Sequence, residues 1–235
     1  MPGTEVAGIV GEVGRRVSRF KPGDRVCAVL DWGGLAEEAC ANEVNVFSIP
    51  DSLAFPRAIA FTNSYATSAA ALTWPHLLDV QPGQSLLVHG AVGGVGIAAV
   101  EIGKIRGAQV IATAGSANVF TQSLRCMAPE GRIMPVGFAS GDIPQIPANI
   151  LLVKNLTVCG LNMGLYFGWG PTDLRDVYET KIRGLMDQLF RWFEAGQINP
   201  LVTQTYPLAE FQRAMADVLA RRAIGRIAVV MDPVR

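Results

Sequence analysis

One stretch, residues 85–99 (SLLVHGAVGGVGIAA), constrains this chain more than any other. Residues 85–89 are an apolar run of strand length. Gly90, Gly93, Gly94 and Gly96 then break the run, and an apolar pattern at helical spacing follows, with Val95, Ala98, Ile102 and Ile105 on one face. Strand, glycine turn and helix, in that order, are the setting in which glycines build a dinucleotide site. Gly90 suits the tight turn, Gly93 and Gly94 let backbone approach a pyrophosphate, and Gly96 lets the helix pack closely. The free N–H groups and positive dipole end of the helix then face the phosphates. Gly107 is placed to end the helix, and residues 109–114 (QVIATA) predict the next parallel strand. Glycines at such a turn can also serve packing alone, so it is the flanking strand and helix that carry the inference.

The segments ahead of this stretch have a different character. Residues 6–13 (VAGIVGEV) are a glycine-spaced, β-prone run, and Lys21-Pro22-Gly23-Asp24 has Pro and Gly where a tight turn wants them. Residues 25–30 follow as an apolar strand, then residues 35–41 and 44–49 as two more short segments. Short strands with Gly/Pro turns predict a small β domain or barrel. Residues 57–72 are Ala-rich and helical.

Beyond residue 114 the pattern predicts a helix over 120–127, strands over 131–138 and 156–161, and a loop between those strands. Residues 173–195 carry Leu174, Tyr178, Ile182, Leu185, Leu189 and Trp192 on one face of a long helix. A strand over 201–206, a helix over 208–221 and a closing strand over 225–231 complete the chain, and the Lys and Arg residues of this tail read as solvated faces.

Composition excludes several functions. Of 235 residues half are hydrophobic, and 20 acids balance 20 bases, so there is no electrostatic footprint for nucleic acid or an anionic membrane. Polar residues cut the apolar runs short of membrane-spanning length. The start, MPGTEVAG, carries no secretory pattern, and a cytoplasmic setting is expected. Cys27, Cys40, Cys126 and Cys159 are scattered in apolar or strand-like runs and read as buried small hydrophobes. With only His76 and His89 besides, no metal-ligand pattern exists and no bound metal is expected. His89 reads as a hydrogen-bonded structural residue.

Several stretches together resemble one family, the zinc-independent medium-chain dehydrogenases/reductases of the quinone oxidoreductase branch. They are PGTEVAGIVGEVG, FKPGDRV, GGLAEE, Tyr65-Ala66-Thr67, VQPGQSLLVHGAVGGVG, GAQVIATA, GRIMPVGFASG and LTVCGL, with the final helix-Gly-Arg-strand. The resemblance implies an α/β fold: a shortened Rossmann-like parallel sheet domain plus a partial GroES-like β-barrel domain. It divides the chain into 1–73 (partial β domain), 74–163 (dinucleotide-binding domain) and 164–235 (helices and a strand returning to the β domain). It implies hydride transfer from NADPH, with NADH as the alternative, to a quinone or an α,β-unsaturated carbonyl. Gly93, Gly94 and Val95 would hold the pyrophosphate, with Ala91 and Ser116 also at the cofactor. Thr67 would reach it near the nicotinamide, Phe138 and Ala139 would line the inner end of its groove, and Leu161 would lie close by. Thr4 stands where zinc-dependent relatives carry a ligand histidine. No catalytic acid or base is assigned.

The chain also departs from the family. It opens at the PGxE motif, so the earliest β strands, with an Asn and a Tyr near the nicotinamide, are expected to be missing. After Ser116 a helix, two strands and another helix of the family have no counterpart. Losing the strand between 85–89 and 131–137 leaves two ways to cover the edges: direct pairing of those two strands, or strand exchange in a homodimer. The alternative to a weakened enzyme is a non-catalytic dinucleotide-binding or interaction module derived from this family.

Overall fold

The computed structural model describes residues 2–113, 119–138, 141 and 143–231. Three short strands open the chain, β1 (Glu5–Ile9), β2 (Arg25–Val29) and β3 (Val46–Ser48), and form an antiparallel sheet in that order. The turn that feeds β2 forms as its sequence requires: the Asp24 N–H donates to the Lys21 carbonyl at 3.2 Å, and Gly23 takes φ +94°. Residues 35–41 form no strand. This sheet occupies the stretch where the resemblance implies the partial GroES-like β domain.

The Ala-rich segment is helical throughout, as α1 (Phe55–Ala60), a π-helical turn (Phe61–Tyr65) and α2 (Ala66–Thr73). Phe61 is fully buried, with Phe190 and Phe193 rings 5.0 and 5.9 Å from its own. Those rings come from α6 (Arg175–Glu194), whose apolar stripe buries Ile182, Leu185, Met186 and Leu189 against the same core. Of the stripe predicted from spacing, Tyr178, Ile182, Leu185, Leu189 and Trp192 pack on this core, joined by Met186 and Phe190, whereas Leu174 stands at the N-cap outside the helix.

The Rossmann-like part begins with β4 (Ser85–His89), followed by α3 (Gly94–Ile105) and β5 (Gln109–Thr113). β4 and β5 pair in parallel, Ser85 opposite Gln109 through His89 opposite Thr113. Leu86 and Val88 point into α3, where Ala98 and Ile102 are fully buried. Gly103 has no Cβ because Leu86 Cδ2 would lie 2.6 Å from it. On the opposite face Leu87 and Ile111 stand directly across from one another, and both are exposed. One face of the sheet is therefore covered, and the other is open at Leu87 and Ile111.

Helix α4 (Val119–Cys126) follows, then β6 (Arg132–Ile133), α5 (Ala148–Lys154) and β7 (Thr157–Val158). Among the described residues β4 pairs only with β5, and β6 only with β7, so the expected direct pairing of 85–89 with 131–137 does not form. Only two residues of the predicted strand 131–138 join a ladder, too few to bridge two sheets. The C-terminal end of β4 is met by a helix instead. His89 Nδ1 lies 2.9 Å from Thr113 Oγ1 and Nε2 lies 2.8 Å from Ser123 Oγ on α4. Where the sequence predicts a loop between β6 and β7, the chain also builds α5. None of its residues is buried, so no apolar period betrays it.

The chain closes with β8 (Val202–Pro207), α7 (Phe211–Leu219) and β9 (Arg226–Val230), the two strands parallel. All four thiols are free. Cys27 and Cys159 are buried as expected, whereas Cys40 and Cys126 are exposed.

Candidate functional site around the glycine turn

Gly90 takes φ +65°, the left-handed conformation that a tight turn demands and that only glycine adopts without strain. Gly96 must be glycine for a second reason: a Cβ there would lie 2.2 Å from the Gly90 carbonyl oxygen. Those two residues fold the turn back onto the helix. Gly93, at the N-cap, donates its N–H to Gly90 O at 3.0 Å and supplies no side-chain cap. The N–H groups of Gly94, Val95 and Gly96 have no partner within the helix, because the first turn never does. They form an uncapped positive end.

Gly93 and Gly94 differ in what surrounds them. A Cβ on Gly93 would meet only Gly90 O at 3.5 Å, an ordinary contact. A Cβ on Gly94 would lie 2.7 Å from Ser64 Oγ and 2.8 Å from Arg226 Cδ. Ser64 belongs to the π-helical turn, and its hydroxyl is buried without a hydrogen-bond partner. Arg226 opens β9, and beside it the Gly225 N–H donates to Val92 O at 2.8 Å, so the far end of the chain is stitched to the glycine turn.

The turn is also braced from α2 and from the π-helical turn. Ser68 Oγ donates to Val95 O at 2.7 Å, and Tyr65 Oη donates to Glu101 Oε2 of α3 at 2.6 Å. Burial, followed by that bond to a carboxylate, pushes the Tyr65 phenol above its ordinary range. Tyr65 is thus a neutral brace. Thr67 is buried one turn further on, its hydroxyl donating to Asn63 Oδ1 at 3.3 Å.

Of the residues expected from sequence, the structure gathers Gly93, Gly94 and Val95 at the start of α3, with Ser68 of α2 joining the helix bearing Thr67 to Val95. Ala91 is tied in by its N–H, which donates to Thr113 O at 3.0 Å. Phe138 follows β6 with its ring half exposed, and Leu161 follows β7, partly buried on the main core. Ser116 and Ala139 lie outside the described residues. Sequence reasoning missed Ser64, Glu5, Asn63 and Arg226. The tail arginines are not uniformly solvated: Arg226 pairs with Glu5, and Arg183 donates to the carbonyls of Glu43, Val44 and Val46. The one local signal for Arg226 is its place, directly after a glycine at the head of the closing strand.

Among the described residues no three His, Cys, Asp or Glu side chains come together as a ligand set. Two family models match the chain: one described as an alcohol dehydrogenase GroES-like domain over residues 1–51, and one described as zinc-binding dehydrogenase over residues 100–229. A quinone oxidoreductase-like protein 2 homolog of Nematostella vectensis is 34% identical, over 97% of this chain and 73% of its own length. The chain belongs to the zinc-independent, quinone-oxidoreductase-like branch of the medium-chain dehydrogenases/reductases.

The match to the Nematostella protein extends over 275 positions, against 235 residues here, so that member of the branch carries sequence inside the matched span that this chain lacks. Solved structures share the fold. Quinone oxidoreductase of Escherichia coli, complexed with NADPH, superposes with a TM-score of 0.81 at 24% identity, covering 99% of this chain and 82% of that one. A mycobacterial protein complexed with NADPH gives 0.84 at 22% identity, covering 98% and 82%. At the level of the family this chain is an oxidoreductase. No helix among the described residues is long and apolar enough to cross a membrane.

Proposed function

We propose that the chain binds NADPH at the glycine turn and reduces a quinone or an α,β-unsaturated carbonyl. The observation that carries this reading is the uncapped start of α3, where a buried hydroxyl without a partner, Ser64, and the stem of Arg226 converge on Gly94, the guanidinium lying just beyond against Glu5. Such a place fits a diphosphate: free N–H groups, a positive dipole end and a charged donor all favour an anion. Gly94, Val95 and Gly96 would hold the phosphates through backbone, with Arg226 above them. Thr67 would meet the nicotinamide end. Bound there, the dinucleotide supplies the hydride, while the protein orients it and excludes water. Quinone oxidoreductase of Escherichia coli and the mycobacterial protein are both known in complex with NADPH, which supports this choice of dinucleotide.

The division at 1–73, 74–163 and 164–235 belongs to the same reading, with the dinucleotide in the middle segment and its cover supplied by both flanks. The four free cysteines support a reducing, cytoplasmic setting. A second reading, a dinucleotide-binding module without turnover, is favoured by the sheet face open at Leu87 and Ile111.

Calorimetric titration with NADPH, beside NADPH oxidation against a panel of quinones and enones, tests both. Gly93→Asp is the informative variant because a Cβ there makes only an ordinary contact, 3.5 Å from Gly90 O. It should fold and lose NADPH binding. Binding that survives the substitution makes the turn structural only. Binding without reduction of any acceptor leaves the module reading.

A further inference from the structure

Glu5 joins the two ends of the chain at the edge of this site. Its carboxylate is nearly buried, with 9% of the side chain exposed. Oε1 accepts from Asn63 Nδ2 at 2.8 Å, and Oε2 accepts from Arg226 Nη2. A carboxylate only accepts, so it turns the Asn63 amide nitrogen toward itself and leaves Oδ1 to the Thr67 hydroxyl. It fixes the guanidinium in the same way. The Arg226 stem passes across Gly94 while its head is held by Glu5, and among the described residues the other guanidinium donors have no protein partner. An arginine secured at both ends of its side chain has already lost its rotamer freedom, and its planar fork faces one direction.

We propose that Glu5 is a positioning residue for dinucleotide binding: its carboxylate holds Arg226 over the first turn of α3, so that the remaining guanidinium donors meet a phosphate. The inference rests on the reading of that turn as a dinucleotide site. Two effects oppose one another here, since the negative charge of Glu5 also repels a phosphate. Positioning prevails because that charge is neutralised in direct contact by Arg226 and hydrogen-bonded by Asn63, whereas an unheld arginine would have to be ordered anew each time a ligand binds.

The test is a double-mutant cycle in NADPH Kd with Glu5→Gln, Arg226→Met and the pair together. Glu5→Gln should weaken binding about five- to tenfold, and the double variant should bind no worse than Arg226→Met alone, the non-additivity expected of residues in contact. A purely structural role for Glu5 would add its loss to that of Arg226→Met instead. Additive losses, or a Glu5→Gln protein that binds as well as the parent or better, overturn the proposal. If Glu5→Gln does not fold, Arg226→Lys carries the test. Lysine keeps the charge and loses the fork, so it should bind NADPH within twofold of Arg226→Met. Binding at parental strength by the lysine variant shows that charge suffices without orientation and sinks the idea. Parent protein that does not bind NADPH refutes the dinucleotide reading, and this inference with it. Parent that binds, and loses binding in Gly93→Asp, but shows additive Glu5 and Arg226 losses refutes only the role of Glu5.

Discussion

Ser64 Oγ and Gly94 are packed so closely that a Cβ on Gly94 would lie 2.7 Å from the hydroxyl. The π-helical turn and the start of α3 therefore share a contact that admits glycine and nothing larger. Gly94→Ala should destabilise the protein by about 1–3 kcal/mol, the usual cost of overpacking, whether or not a ligand is present. Gly93→Ala, one residue earlier, should leave stability unchanged. Denaturant unfolding of the two variants without ligand checks the contrast. Equal midpoints would show that Ser64 and Arg226 move aside freely.

His89 predicts a pH dependence. Burial holds its imidazole below the ordinary value of 6.5. In the window that opens near pH 6.5 and runs downward, the unfolded chain takes up a proton that the native form resists, so stability falls as pH falls. His89→Gln can keep one bond to Thr113 or Ser123 without titrating. Its Tm should change less than that of the parent between pH 7.5 and 5.5. Parallel curves would place the loss elsewhere.

The two faces of the β4–β5 sheet should respond differently to truncation. Ile102 packs against the covered face with 0% exposure, whereas Ile111 on the open face is 54% exposed. Ile102→Ala should cost about 2–5 kcal/mol, and Ile111→Thr should stay within about 0.5 kcal/mol. An Ile111 variant that costs as much as Ile102→Ala would mean that another chain covers that face in solution.

That contrast also explains what could be read from the sequence. The unit from Ser85 to Thr113 was legible because every device in it is local: strand length, a left-handed glycine, a helical period and a stop at Gly107, which takes φ +74°. The long helix was legible because its stripe from Ile182 to Leu189 meets a core. α5 was hidden because Leu152 and Val153 are each 78% exposed, so its apolar residues mark no face. The strand expected over 131–138 is apolar enough, but a strand needs a neighbour, and only Arg132 and Ile133 have one. The site was half legible. Glycines announce themselves in sequence, whereas Glu5 and Arg226 are 221 positions apart and meet only through the fold.

Cofactor preference follows from the end of β5. NAD-type sites carry an acid there for the ribose 2′-hydroxyl, but this chain continues from Thr113 through Ala114, Gly115 and Ser116 without one. NADPH should bind more tightly than NADH, and by a modest factor, since no Lys or Arg follows before Arg125. Calorimetry with both nucleotides decides it. Equal or tighter NADH binding refutes the preference.

The last prediction concerns the acceptor. Beside Glu5 and Asn63 lies a cavity of about 20 Å³, closed by Met163, Phe167 and Trp169. That is room for one water and far too little for a quinone ring. Trp169 is the exposed wall: 42% of it is open to solvent, and its ring rests on Gly164, where a Cβ would lie 2.8 Å from Cε3. Gly168 and Gly170 flank it, Gly168 at φ +94° under the Arg175 guanidinium and Gly170 against Leu165, so a shift would fall to the indole side chain rather than to the backbone. Reduction of a bulky acceptor should therefore depend on displacing the indole. Trp169→Ala should lower KM for a naphthoquinone several-fold more than for a small enone, and leave the NADPH Kd within about twofold, because among the described residues no hydrogen bond joins the indole to Glu5, Asn63 or Arg226. Equal KM values for parent and variant with both acceptors would place the acceptor elsewhere on the protein. A changed NADPH Kd would instead mean that Trp169 supports cofactor binding.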